Sequence, residues 1–186
     1  TETPITADSV VATAGDHTVL AVWTANQYVV SFAASDEYEL DIAKTTVTYG
    51  SPYGTLASAT RPGYTNEGWF LEINGDYLLI DESTLVAFAG DQTLFPRWVA
   101  NEYTVTLEAH EEASIAYTSK TVTFDSSYGE IPDPERLGYT FTRWNLAETG
   151  DGAYITADSV VATAADHSLY AQYTANTYVL TFVEWE

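Results

Sequence analysis

The sequence repeats itself with a period of 75 residues, and this period constrains the fold more than any single motif. The stretch Ile155–Phe182 recurs almost unchanged at Ile5–Phe32, and a more divergent copy lies between them at Ile80–Leu107. Residues 1–25 and 151–175 are identical at 15 of 25 positions without a gap. A fixed period without slippage is the signature of tandem structural repeats. The residues that recur at this spacing include three asparagines, two arginines and two tryptophans: Asn26, Asn101, Asn176, Arg61, Arg136, Trp69 and Trp144.

The period divides the chain into four parts. We expect the C-terminal part of a repeat at 1–25, complete repeats at 26–100 and 101–175, and the first strand of a following repeat at 176–186. A unit of 75 residues is long for a solenoid repeat and close to the lower size limit of an independent domain. The period therefore predicts small domains arranged end to end, in a chain that is either a piece of a longer array or a whole assembling subunit.

Alternation of apolar residues predicts that each repeat opens with a strand. In Asn101–Leu107, the side chains of Tyr103, Val105 and Leu107 fall on one face. An acidic connection follows at 33–44 and at 108–120, and its sequence differs between the two repeats. We therefore expect that the residues of this connection do not pack in the core of the repeat.

Three further strands are predicted in each repeat. The second covers Thr45–Tyr49 or Thr121–Phe124, with its final aromatic residue facing the core. The third covers Gly138–Asn145, where broken parity of the apolar residues indicates a bulge before Trp144. The last covers Ser168–Thr174, and it reaches the first strand of the next repeat with almost no linker.

A short helix is predicted between the third and last strands. Thr156 is a residue type that caps helices, Asp158 lies in the first turn, and Ile155 and Val160 have the spacing of a hydrophobic staple. The valines and threonines that follow are poor helix formers, so one or two turns are expected. The same pattern recurs in the other copies, at Ile5, Thr6 and Val10 and at Ile80, Asp81 and Leu85. The predicted fold class is therefore α+β, mainly β.

Four segments follow one another in the second repeat, and their order carries a family resemblance. They read YTVTL, TVTF, YGEIPDPERLGYTFTRW and ITADSVVATAADHSLYAQYTAN. This order resembles the Listeria-Bacteroides repeat family, which is also known from the B repeat of internalin-type surface proteins. The resemblance implies tandem β-grasp-like, ubiquitin-related domains in large secreted or wall-attached proteins, often of adhesin type, and no catalytic residues. It also implies that the first and last strands lie side by side and parallel.

The middle copy departs from this family pattern. Asn66 stands where the other repeat has the aromatic residue Phe141. Pro96 and Arg97 are expected to interrupt the last strand of this copy, which would alter the edge of its sheet. The Asp-x-x-Gly-Gly motif that usually follows the first strand in the family is absent from this sequence.

The charge of the chain limits its partners. There are 27 acidic and six basic residues, which give a formal net charge of −21. Phosphate backbones and anionic membrane surfaces would be repelled, so neither nucleic acid nor a membrane is expected as a partner. The sequence contains no cysteine and no apolar run of the roughly 20 residues that cross a membrane. This composition is compatible with an extracellular protein, and the resemblance implies a cell-surface location.

The histidines are not expected to bind a metal. His17 and His167 occupy equivalent turns, but Gln92 stands at that position in the middle copy. A metal ligand would not tolerate this exchange, whereas a residue that hydrogen-bonds within a turn would. His110 lies alone in the acidic connection EAHEE, which is typical of a solvated loop.

The remaining candidate residues also favour structural roles. Asp76 and Asp151 lie in loops that resemble fragments of a calcium loop but lack its other oxygen ligands. Arg61 and Arg136 recur before a Gly-Tyr pair, and we expect each to pair with a carboxylate or an aromatic face. Neither a catalytic residue, nor a cofactor site, nor a metal site is therefore predicted.

These observations predict a non-enzymatic tandem-repeat stalk or spacer of a bacterial-type cell-surface or adhesin protein. Its expected partners are neighbouring repeats of the same protein or of another copy. One alternative is a subunit of a head-to-tail extracellular filament, in which residues 176–186 of one copy add a strand beside residues 1–25 of the next. Another alternative is a module that binds glycan or a host or cell-surface protein through exposed aromatic residues and the acidic loops.

Overall fold

The structure is a computed structural model that describes residues 4–184. Within this range all regular secondary structure is β-strand. The strands are β1 (Gln27–Phe32), β2 (Glu39–Leu40), β3 (Lys44–Thr48), β4 (Ala59–Thr60), β5 (Tyr64–Ile73), β6 (Asp76–Ile80), β7 (Gln92–Ala100), β8 (Glu102–Glu108), β9 (Ser119–Thr123), β10 (Tyr139–Asn145), β11 (Tyr154–Ile155) and β12 (His167–Ala175).

The strands form two five-stranded mixed sheets with the same topology. The first has the order β3-β1-β7-β5-β6 and the second the order β9-β8-β12-β10-β11. In each sheet the first and last long strands of the repeat pair in parallel, β1 with β7 and β8 with β12, and the other pairs are antiparallel. The parallel pairing that the resemblance implied is therefore present. Strands β2 and β4 form a separate small ladder.

Each sheet covers its own hydrophobic core, and the two cores are built from equivalent positions. Trp69 and Trp144 are both buried and lie at the bulged strands β5 and β10. Because the equivalent side chains are apolar in both repeats, the 75-residue period is a repeat of core positions. The other equivalent buried pairs are Val30 and Val105, Phe32 and Leu107, Val47 and Val122, Tyr53 and Tyr128, Ile80 and Ile155, Val86 and Val161, and Leu94 and Leu169.

The predicted helix is wrong, and a single turn takes its place. In the first repeat the Asp81 carboxylate accepts hydrogen bonds from the backbone N–H groups of Ser83 and Thr84, at 2.9 and 2.7 Å. The carbonyl of Thr84 then accepts the N–H of Tyr53, and the carbonyl of Glu82 accepts that of Gly54. Because the loop after β3 uses these carbonyls, they are not available to a following helical turn.

The second repeat repeats this arrangement. Ser159 N–H donates to the Thr156 carbonyl at 3.1 Å, and the Ser159 carbonyl accepts the N–H of Tyr128. Val161, a β-branched residue with low helix propensity, continues in extended conformation and pairs its N–H with the carbonyl of Ser126. The fold is therefore all-β, and the predicted α+β class with one helix per repeat is incorrect.

The bulge predicted before the tryptophan is confirmed in both repeats. The register between β10 and β12 shifts between Phe141 and Arg143, and that between β5 and β7 shifts between Asn66 and Trp69. In the first repeat the Asn66 side-chain oxygen accepts the N–H of Gly68 at 2.9 Å. The amide thus supports the irregular backbone where the second repeat has an aromatic ring.

The predicted interruption at Pro96 and Arg97 is wrong, because β7 passes through both residues. The carbonyl of Leu94 accepts the N–H of Ala33, so positions 94 and 96 direct their backbone polar groups toward the β1 side. Strand β1 ends at Phe32, next to Leu94 in the register. The next bond of this ladder would join the N–H of residue 96 to the carbonyl of Ala33, just after β1. Pro96 has no N–H, and the Ala33 carbonyl accepts the Tyr38 hydroxyl instead at 2.5 Å.

The terminal segments of the described chain contain no strand. Residues 4–25 and 177–184 pair with neither sheet, and their apolar side chains are exposed. Examples of these side chains are Val10, Val19, Trp23, Tyr178, Leu180 and Phe182. The predictions for residues 1–3 and 185–186 lie outside the described residues.

Candidate functional site: the joint between the repeats

A single residue, Asn101, connects the two sheets, and hydrogen bonds hold it on both sides. Its N–H donates to the carbonyl of Gly63 in the first repeat at 2.9 Å, and its carbonyl accepts the N–H of Phe124 in the second repeat at 2.9 Å. Its side-chain oxygen accepts the Thr65 hydroxyl at 2.6 Å, and its amide nitrogen donates to the Tyr103 hydroxyl at 3.3 Å. The linker therefore has little freedom to rotate.

Aromatic rings from the two repeats meet beside this linker. The rings of Tyr64 and Phe124 pack edge to face, with centroids 5.5 Å apart. The Tyr64 hydroxyl donates to the Asp125 carboxylate at 2.8 Å, and this hydrogen bond raises the pKa of Tyr64 above its usual value. An edge-to-face pair adds about 0.5–1.5 kcal/mol to the free energy of burial. Tyr64 thus contributes both an apolar and a polar contact across the joint.

Gly63 is required at the joint because it touches the Phe124 ring. Gly63 is buried and has φ of +77°, a left-handed conformation that side chains disfavour. A Cβ atom added at this position would lie 2.4 Å from the Phe124 ring. The close approach of the two repeats therefore depends on the absence of a side chain.

Asp125 also adopts a left-handed conformation, with φ of +60°. The equivalent residue in the first repeat is Gly50, which has φ of +75°. A non-glycine residue in this conformation costs roughly 1–2 kcal/mol. The carboxylate of Asp125 offsets part of this cost, because it binds the Tyr64 hydroxyl of the neighbouring repeat.

Arg61 and Arg136 hold the tyrosines that follow them. The Arg61 guanidinium lies 3.9 Å from the centre of the Tyr64 ring and 2.7 Å from the Glu37 carboxylate. Arg136 lies 3.9 Å from the Tyr139 ring, and 3.2 Å separates its nitrogen from the Glu112 carboxylate. The sequence predicts a carboxylate or an aromatic face as the partner of each arginine, and in the structure each arginine contacts both. Each arginine thereby connects the variable acidic loop to the tyrosine that begins the third long strand of its repeat, β5 or β10.

The family model described as the Listeria-Bacteroides repeat domain matches residues 28–96 and 103–172, so its two matches lie on either side of the Asn101 joint. The chain belongs to the Listeria-Bacteroides repeat family. The two matched segments correspond to the two sheets.

Relatives of these Listeria-Bacteroides repeats occur in larger proteins. Internalin H of Listeria monocytogenes is 32% identical over 141 residues, which is 75% of this chain and 25% of that protein. Two proteins of Evansella cellulosilytica are also similar. One, named as a Gly-rich membrane protein, is 30% identical over 66% of this chain and 15% of its own length. The other, named as a membrane protein, is 26% identical over 87% of this chain and 23% of its own length.

The turn histidine acts as a hydrogen-bonding residue in these Listeria-Bacteroides repeats, as predicted. One ring nitrogen of His167 lies 2.7 Å from the hydroxyl of buried Tyr128, and the other lies 3.0 Å from the Ala165 carbonyl. In the first repeat Gln92 bonds the hydroxyl of buried Tyr53 in the same way. Burial raises the pKa of both tyrosines. The exchange of His and Gln is tolerated because either side chain can bond a tyrosine hydroxyl.

The other candidate residues occupy turns and loops. The ring of His110 lies 3.7 Å from the Glu112 carboxylate, and Asp151 accepts the Thr149 hydroxyl within its turn. Asp76 begins β6. Among residues 4–184, groups of three or more His, Asp or Glu side chains with the arrangement of a metal site do not occur, and neither does a helix that could span a membrane.

Sequence reasoning missed the joint itself. The sequence identifies Asn101 only as a residue that recurs with the period, and alternation predicts that Phe124 faces the core of its own repeat. Phe124 instead packs across the joint, and its counterpart Tyr49 is exposed rather than facing the core. The usable signal was the recurrence of Gly-Tyr and Asn at one fixed spacing, at positions that do not belong to the core.

Proposed function

We propose that this segment is a non-enzymatic stalk or spacer within a bacterial-type cell-surface protein. The Asn101 joint carries the proposal, since a single linker residue is bonded to both repeats and flanked by a glycine-aromatic contact. A flexible string of beads would need none of these contacts. The occurrence of related repeats in an internalin and in two membrane proteins supports a place in the cell envelope.

The parallel pairing of the first and last strands supports an extended arrangement. Val30 lies opposite Gln92 in the parallel register. If this register is continued back to the first residue of β1, that residue lies level with a position about 11 residues before Ala100. With about 3.3 Å per residue, the chain advances roughly 36 Å between entering and leaving a repeat. The second repeat has the same register, with Val105 opposite His167. Each repeat therefore adds length along the strand direction.

The charge of the chain acts in the same direction. With a formal net charge of −21, neighbouring repeats repel one another wherever the joint does not hold them together. Folding back of one repeat on the next would bring these charges closer. Repulsion thus favours an extended and soluble stalk, most strongly at low salt.

Small-angle scattering tests the spacer function. We would compare the chain with a variant lacking residues 101–175, in which Ala100 is followed by Asn176 and the joint asparagine is retained. Both proteins carry the same terminal segments, so the contribution of these segments cancels. The maximum dimension is expected to fall by roughly 36 Å on deletion. A much smaller change would show that the repeats lie side by side, and the stalk proposal would be wrong.

Exposed apolar terminal segments favour a second candidate, a head-to-tail filament built by strand addition. By the 75-residue period, Leu180 is equivalent to Val105 in β8 and His17 is equivalent to His167 in β12. If the two segments paired as β8 and β12 do, Leu180 of one copy would lie opposite His17 of the next. Leu180 and Phe182 would then leave solvent. Deletion of residues 176–186 tests this arrangement: assemblies seen by light scattering or microscopy should disappear, and their survival would exclude strand donation.

Sugar binding receives less support from the site geometry. The grooves beside Arg61 and Arg136 contain Tyr64 and Tyr139, but a guanidinium 3.9 Å from each ring centre covers one face. A sugar ring would need to stack on such a face. A glycan array without signal above background would remove this alternative.

A further inference from the structure

The three asparagines that recur with the period, Asn26, Asn101 and Asn176, make different subsets of the hydrogen bonds of one joint. Asn101 is bonded to the repeats on both of its sides. Within the described part of the chain, Asn176 bonds only the preceding repeat: its N–H donates to the Gly138 carbonyl at 2.9 Å, and its side chain accepts the Thr140 hydroxyl at 2.6 Å. Within the same residues, Asn26 bonds only the following repeat, where its carbonyl accepts the N–H of Tyr49 at 2.9 Å.

The surface beyond the second repeat has the geometry of the filled joint but is uncovered. Gly138 has φ of +80°, close to the +77° of Gly63. Apart from the two chain neighbours of Gly138, no heavy atom of residues 4–184 lies within 4 Å of a Cβ added there, whereas the Phe124 ring occupies that space at Gly63. Gly63 is buried and Gly138 only partly so. The backbone at Gly138 therefore already has the conformation in which Gly63 accepts an aromatic ring.

The tyrosine of this surface is oriented in advance. Arg136 lies over the Tyr139 ring at the same 3.9 Å as Arg61 over Tyr64. Tyr139 is 38% exposed, while Tyr64 is shielded by its contact with Phe124. The Tyr139 ring is thus held on one face by Arg136, while the residue remains exposed in part.

The first repeat presents the complementary half at its own outer end. Tyr49 stands at the position of Phe124 and is 45% exposed. Gly50 adopts the left-handed turn of Asp125, and both N–H groups bond the equivalent carbonyl, Gly50 to Val86 and Asp125 to Val161. The two outer ends of the described pair of repeats therefore carry the two halves of the glycine–aromatic contact, without the carboxylate that Asp125 supplies at the filled joint.

We propose that the surface formed by Gly138, Tyr139 and Asn176 seats a further 75-residue repeat, continuous with the chain through Asn176. The aromatic residue at the end of that repeat's second strand packs against Gly138, and its N–H bonds the Asn176 carbonyl. This inference rests on the proposed stalk function and names the partner and the contact that extend it. Continuity with the Gly63 joint selects this occupant over a sugar or an unrelated protein.

An extended chain tests the proposal, with a second copy of residues 101–175 inserted after Ala175. The protein contains no cysteine, so introduced cysteines can be spin-labelled without background. Thr46 and Thr121 are exposed and equivalent by the period. One protein carries Thr46→Cys and Thr121→Cys, and its two labels span the first joint. A second protein carries Thr121→Cys both in the original repeat and at the equivalent position of the added copy, and its labels span the second joint. Pulsed electron paramagnetic resonance then measures the distance between the two spin labels across each joint of the extended chain.

The expected result is one narrow distance distribution of the same mean and width at both joints. In the extended chain Gly138→Ala should broaden only the second distribution, and Gly63→Ala only the first. A narrow first distribution with a broad or different second one would overturn the inference and leave the stalk function standing. Broad distributions at both joints would overturn both. Circular dichroism of Gly138→Ala in the original chain checks that this substitution leaves the repeat folded.

Discussion

Gly63 and Gly138 provide a matched pair for measuring the joint at the residue scale. Both have left-handed backbone conformations, but only Gly63 touches the Phe124 ring. Alanine at either position therefore carries the same backbone strain, and alanine at Gly63 adds a clash. Overpacking of this kind typically costs about 1–3 kcal/mol.

We therefore predict that Gly63→Ala destabilises the chain by about 1–3 kcal/mol more than Gly138→Ala. Urea unfolding of the two variants measures this difference in the free energy of unfolding. Equal losses of stability would mean that the contact between Gly63 and Phe124 contributes nothing to the joint.

The hydroxyl of Tyr64 makes the joint sensitive to alkaline pH. The hydrogen bond to Asp125 raises the pKa of Tyr64 in the folded chain above the usual 10.0. A raised pKa of an acid means that its neutral form is stabilised by folding, so this contribution is present below pH 10 and is lost as the pH rises through the folded pKa. The joint should loosen in that range.

Nuclear magnetic resonance titration of ring-labelled tyrosine checks this prediction. Asp125→Asn removes the charge and retains a side chain that tolerates the left-handed turn. The pKa of Tyr64 should be lower in this variant than in the original chain. An unchanged pKa would show that the carboxylate does not hold the hydroxyl.

At the scale of elements, the polar side chain at the start of the last strand supports a buried tyrosine in each repeat. His167 bonds Tyr128, and Gln92 bonds Tyr53. We predict that His167→Gln retains most of the stability, whereas His167→Ala leaves the Tyr128 hydroxyl buried without this partner. The second variant should lose about 1–3 kcal/mol, as measured by urea unfolding. If His167→Ala is as stable as His167→Gln, this hydrogen bond is not a source of stability.

The elements also show how far sequence patterns carry. In the second repeat, alternation located the first and last strands to within one residue at each end, and the broken parity around Trp144 correctly predicted the bulge. The pattern at Thr156 is shared by a helix cap and by an isolated turn, because in both structures the N–H of the residue three positions later lies close to the first residue. Which structure follows depends on whether the loop residues Ser126 and Tyr128 bond the next backbone groups, and that contact is not local in sequence.

At the scale of the whole molecule, the period predicted the number of repeats but not how they meet. The Tyr64–Asp125 and Gly63–Phe124 contacts join residues of different repeats, so the pattern within one repeat does not reveal them. An alternating strand also does not distinguish an aromatic residue that faces its own core from one that faces a neighbour. Phe124 and Tyr49 show this directly, since the first is covered across the joint and the second is exposed.

Residual dipolar couplings test most directly whether the joint holds the two repeats in one orientation. Backbone amide couplings would be measured for the original chain in a weakly aligning medium and fitted separately for residues 27–100 and 102–175. The fixed joint predicts one alignment tensor, with the same magnitude and orientation for both repeats, and two different tensors in Gly63→Ala. Tensors of different magnitude in the original chain would show that the repeats move independently, which would contradict the fixed joint.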